Sequence, residues 1–123
     1  MAANLLLLRA FLAVVAVAVG VSGETHHFVG GDDGLGPDFN LTSWIEGRVF
    51  RVGDKLWFKY DGPDEDMIME VNGPDELESC DVSNPIKMYV DRRVPLEREG
   101  LHYFASGNVE NCRSGLKLIV PVQ

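Results

Sequence analysis

The chain has 123 residues, 46% of them hydrophobic and 24% charged, which is the make-up of one globular domain. Its 11 basic and 19 acidic residues give a formal charge of −8. That balance argues against nucleic acid or anionic lipid as a partner, because phosphate contacts need clustered Lys or Arg and Arg92-Arg93 is the only basic doublet.

Residues 1–23 hold one base, Arg9, then the apolar run Ala10 to Val21, then Ser22-Gly23. This is the pattern of a secretory signal cleaved from a domain spanning residues 24–123. The run is short for a bilayer span and meets no stop-transfer flank, so no transmembrane segment is expected after cleavage. Nor does the C-terminal stretch read as a lipid-anchor signal. Cleavage removes one base and no acid, moving the charge to about −9. In an oxidising compartment the two cysteines, Cys80 and Cys112, default to one disulfide. Closing a loop of about 33 residues contributes roughly 3–4 kcal/mol on the chain-entropy estimate.

The segment Glu24 to Gly31 opens the domain with a short strand that ends at Gly30-Gly31, and the Gly-, Asp- and Pro-rich stretch to Asn40 is loop. Asn40-Leu41-Thr42 is an N-glycosylation sequon. Thr42 to Glu46 makes one helical turn capped by Thr42 or Ser43. Val49 to Val52 reads as a strand, followed by the turn Gly53-Asp54 and a second strand, Lys55 to Tyr60, with Leu56, Phe58 and Tyr60 on its core face. After the turn Asp61 to Asp64 comes Met67 to Val71, with Met67 and Met69 as inward filler, closed by Asn72-Gly73-Pro74. Glu76 to Cys80 makes a helical turn, and Ile86 to Val90 and Val94 to Glu97 are short strands. In Leu101 to Ser106, Leu101, Tyr103 and Ala105 lie on one side and His102, Phe104 and Ser106 on the other. A polar loop then leads to a last strand, with Leu116, Leu118, Val120 and Val122 on its core face and Pro121 marking an edge. Short strands with turns at intervals of roughly ten residues give an all-β sandwich of seven to eight strands.

Several motifs resemble the phytocyanins, secreted plant proteins of cupredoxin-like fold. They are His27 to Gly31, Trp44, Phe50 to Phe58, Cys80, Gly100 to Phe104 and Asn111 to Leu118. The resemblance covers essentially the whole mature chain. It implies a Greek-key β-sandwich and the Cys80–Cys112 pairing. It also implies a copper site of two histidines, one cysteine and a weak axial ligand, but this chain departs from it at every position. Asp66 stands at the first histidine, Ser106 at the cysteine, Asn111 at the second histidine and Leu116 at the axial ligand. A carboxylate, a hydroxyl, an amide and a hydrocarbon replace the soft donors such a site needs. The resemblance therefore points to the early nodulin-like branch, which keeps the fold without copper, and no cofactor is expected.

Other chemistry is weaker. Nine acids and no base lie between Asp61 and Asp81. Their spacing fits no calcium loop, and a solvated acidic face is the preferred reading. If cleavage follows Gly23, Glu24-Thr25-His26 offers an amine, two amides and an imidazole to Cu(II), although a metal-free surface pair at His26 and His27 is preferred. His102 is read as an outward or half-buried residue. His102 and Ser106 lie about 13 Å apart along one strand, too far for a nucleophile and its base, so no enzyme is expected. Trp57 sits in the polar register of its strand, either covering the sandwich or binding a partner. The chain thus reads as an extracellular, glycosylated, non-copper binding or structural protein of the apoplast and outer plasma-membrane face. Its partners would be wall glycan, arabinogalactan protein or a receptor ectodomain. The alternative is a small electron carrier using copper at a non-standard site.

Overall fold

The computed structural model describes residues 24–31, 40–59 and 67–123. The signal expected at 1–23, the loop before Asn40, Tyr60, the turn at Asp61 to Asp64, and Asp66 lie outside these residues.

Among the described residues seven strands form two sheets. The first has the order β1 (His26–Val29), β2 (Lys55–Phe58), β5 (Arg93–Pro95), with β1 parallel and β5 antiparallel to β2. The second has the order β4 (Lys87–Tyr89), β3 (Ile68–Val71), β6 (Gly100–Ser106), β7 (Lys117–Val122), all antiparallel. Three short helices complete the described chain: α1 (Leu41–Ile45), α2 (Pro74–Ser79) and α3 (Val109–Arg113).

Alternation decides which face each strand buries. On β7, Leu118, Val120 and Val122 are buried while Ile119 and Pro121 are exposed, as the period-2 pattern requires. Leu56 and Phe58 from β2, Val94 from β5, Ile68 from β3 and Phe104 from β6 meet them between the sheets in one cluster with Val29 and Phe50. Burying each such side chain contributes about 1.5–3 kcal/mol. The second sheet is covered on its other face too. There Val71, Ala105, Leu77 of α2 and both cysteines form a second cluster, flanked by Met69 and Tyr103. The Cys80–Cys112 disulfide is present.

The structure departs from the sequence reading at particular points. On β3 the residue facing the main core is Ile68, and Met69 points the other way, into the disulfide cluster. Val49 to Val52 is no strand; only Phe50 is buried, making an isolated parallel bridge to Val122. The turn takes its neighbours' donors, since the Arg51 N–H donates to the Asp54 carboxylate at 3.0 Å. The cap of α1 is Asn40, whose Oδ1 accepts the Ser43 N–H at 3.1 Å. The loop after β6 contains α3, capped by Asn108 Oδ1 on the Asn111 N–H. His27, expected at the surface, is buried, with Nε2 at 2.9 Å from Asp54 Oδ2 and its ring 4.6 Å from that of Phe50.

Asp54 thus ties the entering strand to the 51–54 turn, taking Thr25 N–H, Arg51 N–H and His27 together. Burial raises the pKa of its carboxyl, but the hydrogen bonds from His27, Arg51 and Thr25 outweigh burial and hold it below the ordinary 3.8. A carboxyl depressed by folding adds stability above its unfolded value, and that stability is lost as pH falls through the lower folded value. Asp54→Asn is expected to destabilise the domain by about 2–4 kcal/mol. It should also flatten the acid limb of stability below about pH 4, read from urea midpoints at pH 3 to 7; an unchanged acid limb would remove this role from Asp54.

Candidate functional site

The polar loop and the two strands it joins bring three of the four singled-out positions together. At the end of β6 the Ser106 N–H donates to the Leu116 carbonyl at 3.0 Å, and the Leu116 N–H donates to the Asn111 carbonyl at 2.9 Å. Cys112, one residue after Asn111, anchors the same loop to Cys80. Gly115, at φ 113°, makes the bend into β7 that only a residue without Cβ takes freely. Gly107 lies against β3: its N–H donates to the Met67 carbonyl at 2.7 Å, and a Cβ there would come within 3.1 Å of that oxygen. Met67 is the described neighbour of Asp66, which itself lies outside the described residues.

The donors at this cluster do not suit a soft metal. The Ser106 hydroxyl is buried and already accepts the Asn108 N–H at 3.1 Å. Leu116 is buried hydrocarbon in the main core, and Asn111 brings a neutral amide. Neither a thiolate nor an imidazole stands at these three positions, and copper's preferred ligands are both. Among the described residues no group of three His, Cys, Asp or Glu side chains is arranged to hold a metal ion. The N-terminal chelate also conflicts with the fold. A His26 closing a ring with its own amide would use Nδ1, which accepts the Trp57 indole N–H at 2.9 Å, and the Thr25 amide donates to Asp54 at 3.1 Å.

His102 shares its face with Phe104 and Ser106 and is half-buried against Glu70 of β3. Its Nδ1 lies 3.0 Å from Glu70 Oε2 and its Nε2 lies 2.8 Å from the Arg98 carbonyl. The ring thus bridges a buried carboxylate on β3 and a backbone carbonyl. Glu70 is therefore the exception to the solvated acidic face: it is buried, and its other oxygen accepts the Tyr89 hydroxyl at 3.5 Å. Ser106 and His102 are each committed to other partners. A cavity of about 150 Å3 opens beside this group, lined in part by Lys87, Glu97 and Arg98.

A larger groove, about 320 Å3, lies on the outer face of the first sheet. Phe28, Trp57 and Arg93 line it as one cross-strand row, because β1, β2 and β5 pair in that register. Trp57 is half-buried here by its neighbours on the row: the Arg93 guanidinium lies 4.2 Å above its ring and the Phe28 ring is 5.8 Å away. Asn40 is exposed, and its role as helix cap uses Oδ1 and leaves Nδ2 to other chemistry. No helix among the described residues is long and apolar enough to cross a membrane.

A family model for plastocyanin-like domains matches residues 35–116. The chain is 37% identical to early nodulin-like protein 1 of Arabidopsis thaliana, covering 90% of this chain and 30% of that protein. It is 35% identical to early nodulin-like protein 12 of the same plant, covering 91% of this chain and 62% of that one. The chain thus spans between about a third and two thirds of the length of these relatives. Among solved structures, cucumber basic protein, a blue copper protein, superposes with a TM-score of 0.65 at 31% identity, over 80% of this chain and all of the other. The two-sheet arrangement with its disulfide is accordingly the cupredoxin-like sandwich that the motifs implied.

Burial, together with the nearby charges of Glu70 and Glu97, pushes the Tyr89 hydroxyl up from 10.0 to about 12. Its neutral form is the one the fold favours, so this stability is complete below pH 10 and drains away as pH rises toward 12. Chemical denaturation between pH 9 and 12 should show a loss of about 2 kcal/mol that Tyr89→Phe abolishes. Equal alkaline slopes in both proteins would contradict the assignment.

Proposed function

Because the chain belongs to the phytocyanin/early nodulin-like family of plant cupredoxin-like proteins, we propose that it is a copper-free binding or structural protein of the cell surface. The observation that carries this reading is the chemistry at Ser106, Asn111 and Leu116, three positions drawn together by backbone hydrogen bonds with no soft donor among them. Without a thiolate the intense blue-copper absorption has no source, and without imidazoles the affinity has none. The fourth position, Asp66, offers a hard carboxylate instead.

The cell-surface setting rests on three supports. The signal-like segment at 1–23 and the disulfide both belong to the secretory route. The exposed Asn40 sequon provides a glycosylation acceptor, and because Oδ1 caps α1, a glycan on Nδ2 would leave the cap intact. Location in the apoplast or on the outer plasma-membrane face follows from that route. His102 and Ser106 have other partners, so the proposal includes no catalytic role for them.

The test is a metal assay on the glycosylated protein purified from a plant host. Elemental analysis should find copper well below one ion per chain. Titration with Cu(II) should leave the visible spectrum flat and the melting temperature unmoved, since only a ligand that binds the folded state raises it. One tightly held cupric ion per chain with intense blue colour would overturn the proposal in favour of an electron carrier.

A further inference from the structure

The outer face of the first sheet holds a feature that neither the copper positions nor the fold requires. The groove there is lined by three cations, Lys59, Arg92 and Arg93, and one carboxylate, Asp91, in a chain whose formal charge is −8. Asp91 is occupied in holding the turn, its Oδ1 accepting the Arg93 N–H at 3.1 Å. Among the described residues the guanidinium of Arg93 and the ammonium of Lys59 have no ion-pair partner. Two cations without an ion-pair partner among the described residues, set beside exposed aromatic surface, give the groove local charge complementarity to an anion. At physiological ionic strength the Debye length is about 8 Å, so charges farther from the groove than this are largely screened there.

The row is also preorganised. The Trp57 indole is fixed by its N–H bond to His26 at 2.9 Å, and the Arg93 guanidinium carbon lies over its ring, 4.2 Å from the centre. A guanidinium held over a ring can still present its N–H fork to a carboxylate in two parallel bonds. Phe28, 45% exposed, leaves its ring open beside them. Since β1 and β5 flank β2, Phe28 and Arg93 stand roughly 10 Å apart, twice the strand spacing of about 4.8 Å. That span suits two sugar rings, one laying its C–H face on Phe28 and the next presenting a carboxylate to Arg93. The volume of about 320 Å3 is at the low end for small-ligand sites, again one or two rings. An extended acidic peptide would instead add to a sheet edge through backbone bonds, and this groove is on the face.

We propose that the Phe28–Trp57–Arg93 row binds a short acidic oligosaccharide, with Phe28 as the stacking platform and Arg93, supported by Lys59, as the carboxylate grip. The inference rests on the cell-surface binding reading and names its ligand class. Trp57 acts through Arg93 by holding the guanidinium over its ring.

The probes are a digalacturonate, its carboxyl-reduced neutral counterpart and an acidic tetrapeptide, titrated into the full chain by calorimetry and followed at the Trp57 indole N–H by NMR. The digalacturonate should bind and shift that signal, and the neutral disaccharide should bind at least tenfold more weakly. Arg93 is exposed, so Arg93→Gln should keep the melting temperature while weakening the digalacturonate at least tenfold, leaving the neutral sugar unchanged. Equal binding of the acidic and neutral disaccharides overturns the proposal, as does no shift at Trp57, or a tetrapeptide that binds as tightly through Arg93. The comparison of the two sugars uses the natural protein and so does not depend on any variant folding. Retention of wall glycans by Arg93→Gln at the natural level would sink the groove but leave surface binding standing. Failure of the natural protein to retain any wall component would sink the binding reading itself.

Discussion

The loop between β6 and β7 is held by two kinds of constraint. The Cys80–Cys112 disulfide ties it to the end of α2, and backbone bonds join Ser106 to Leu116 and Leu116 to Asn111. These fix the end of β6, and with it the strand that pairs with β3 on one side and β7 on the other. The anchoring bonds are made by main-chain groups and a disulfide, so none of them depends on which side chains stand at 106, 111 and 116. This separates the frame from the chemistry of the side chains it carries. The loop geometry stands with a hydroxyl, an amide and a hydrocarbon at these positions, since none of the anchoring bonds asks for a metal.

Much of this was legible in the chain. Period-2 alternation from Leu116 to Val122 needed no tertiary information, because one face of an edge strand meets the core and the other meets water. β3 was different. It is buried on both faces, by the opposite sheet and by the disulfide cluster, so alternation could not say whether Ile68 or Met69 faced the main core. Glu70 was hidden for another reason: its burial depends on His102, 32 residues away in the chain. The same holds for His27, whose partner Asp54 lies 27 residues on. Long-range polar pairing leaves no local pattern to read. The helix Val109–Arg113 did leave one, in the Asn108 cap and Glu110 in the first turn, which the polar composition of the loop obscured.

Of the candidate site, the ligand positions came from resemblance, and the structure adds that three of them adjoin through the backbone. The aromatic row came from neither. Trp57 stood out as an aromatic in a polar register, but its neighbours Phe28 and Arg93 belong to strands 29 and 36 residues away, and only the register of β1, β2 and β5 sets them side by side. In a chain of formal charge −8, this strip sets Lys59, Arg92 and Arg93 against Asp91 alone among its lining residues.

If positions 66, 106, 111 and 116 are an emptied ligand set on an intact frame, then refilling them should suffice. A chain carrying Asp66→His, Ser106→Cys, Asn111→His and Leu116→Met, shown by circular dichroism to be folded, would be titrated with Cu(II) beside the natural protein while the visible spectrum is recorded. The refilled chain should turn intensely blue at one ion per chain and the natural protein should stay colourless. A blue natural protein, or a folded refilled chain that takes up no copper, would contradict the account.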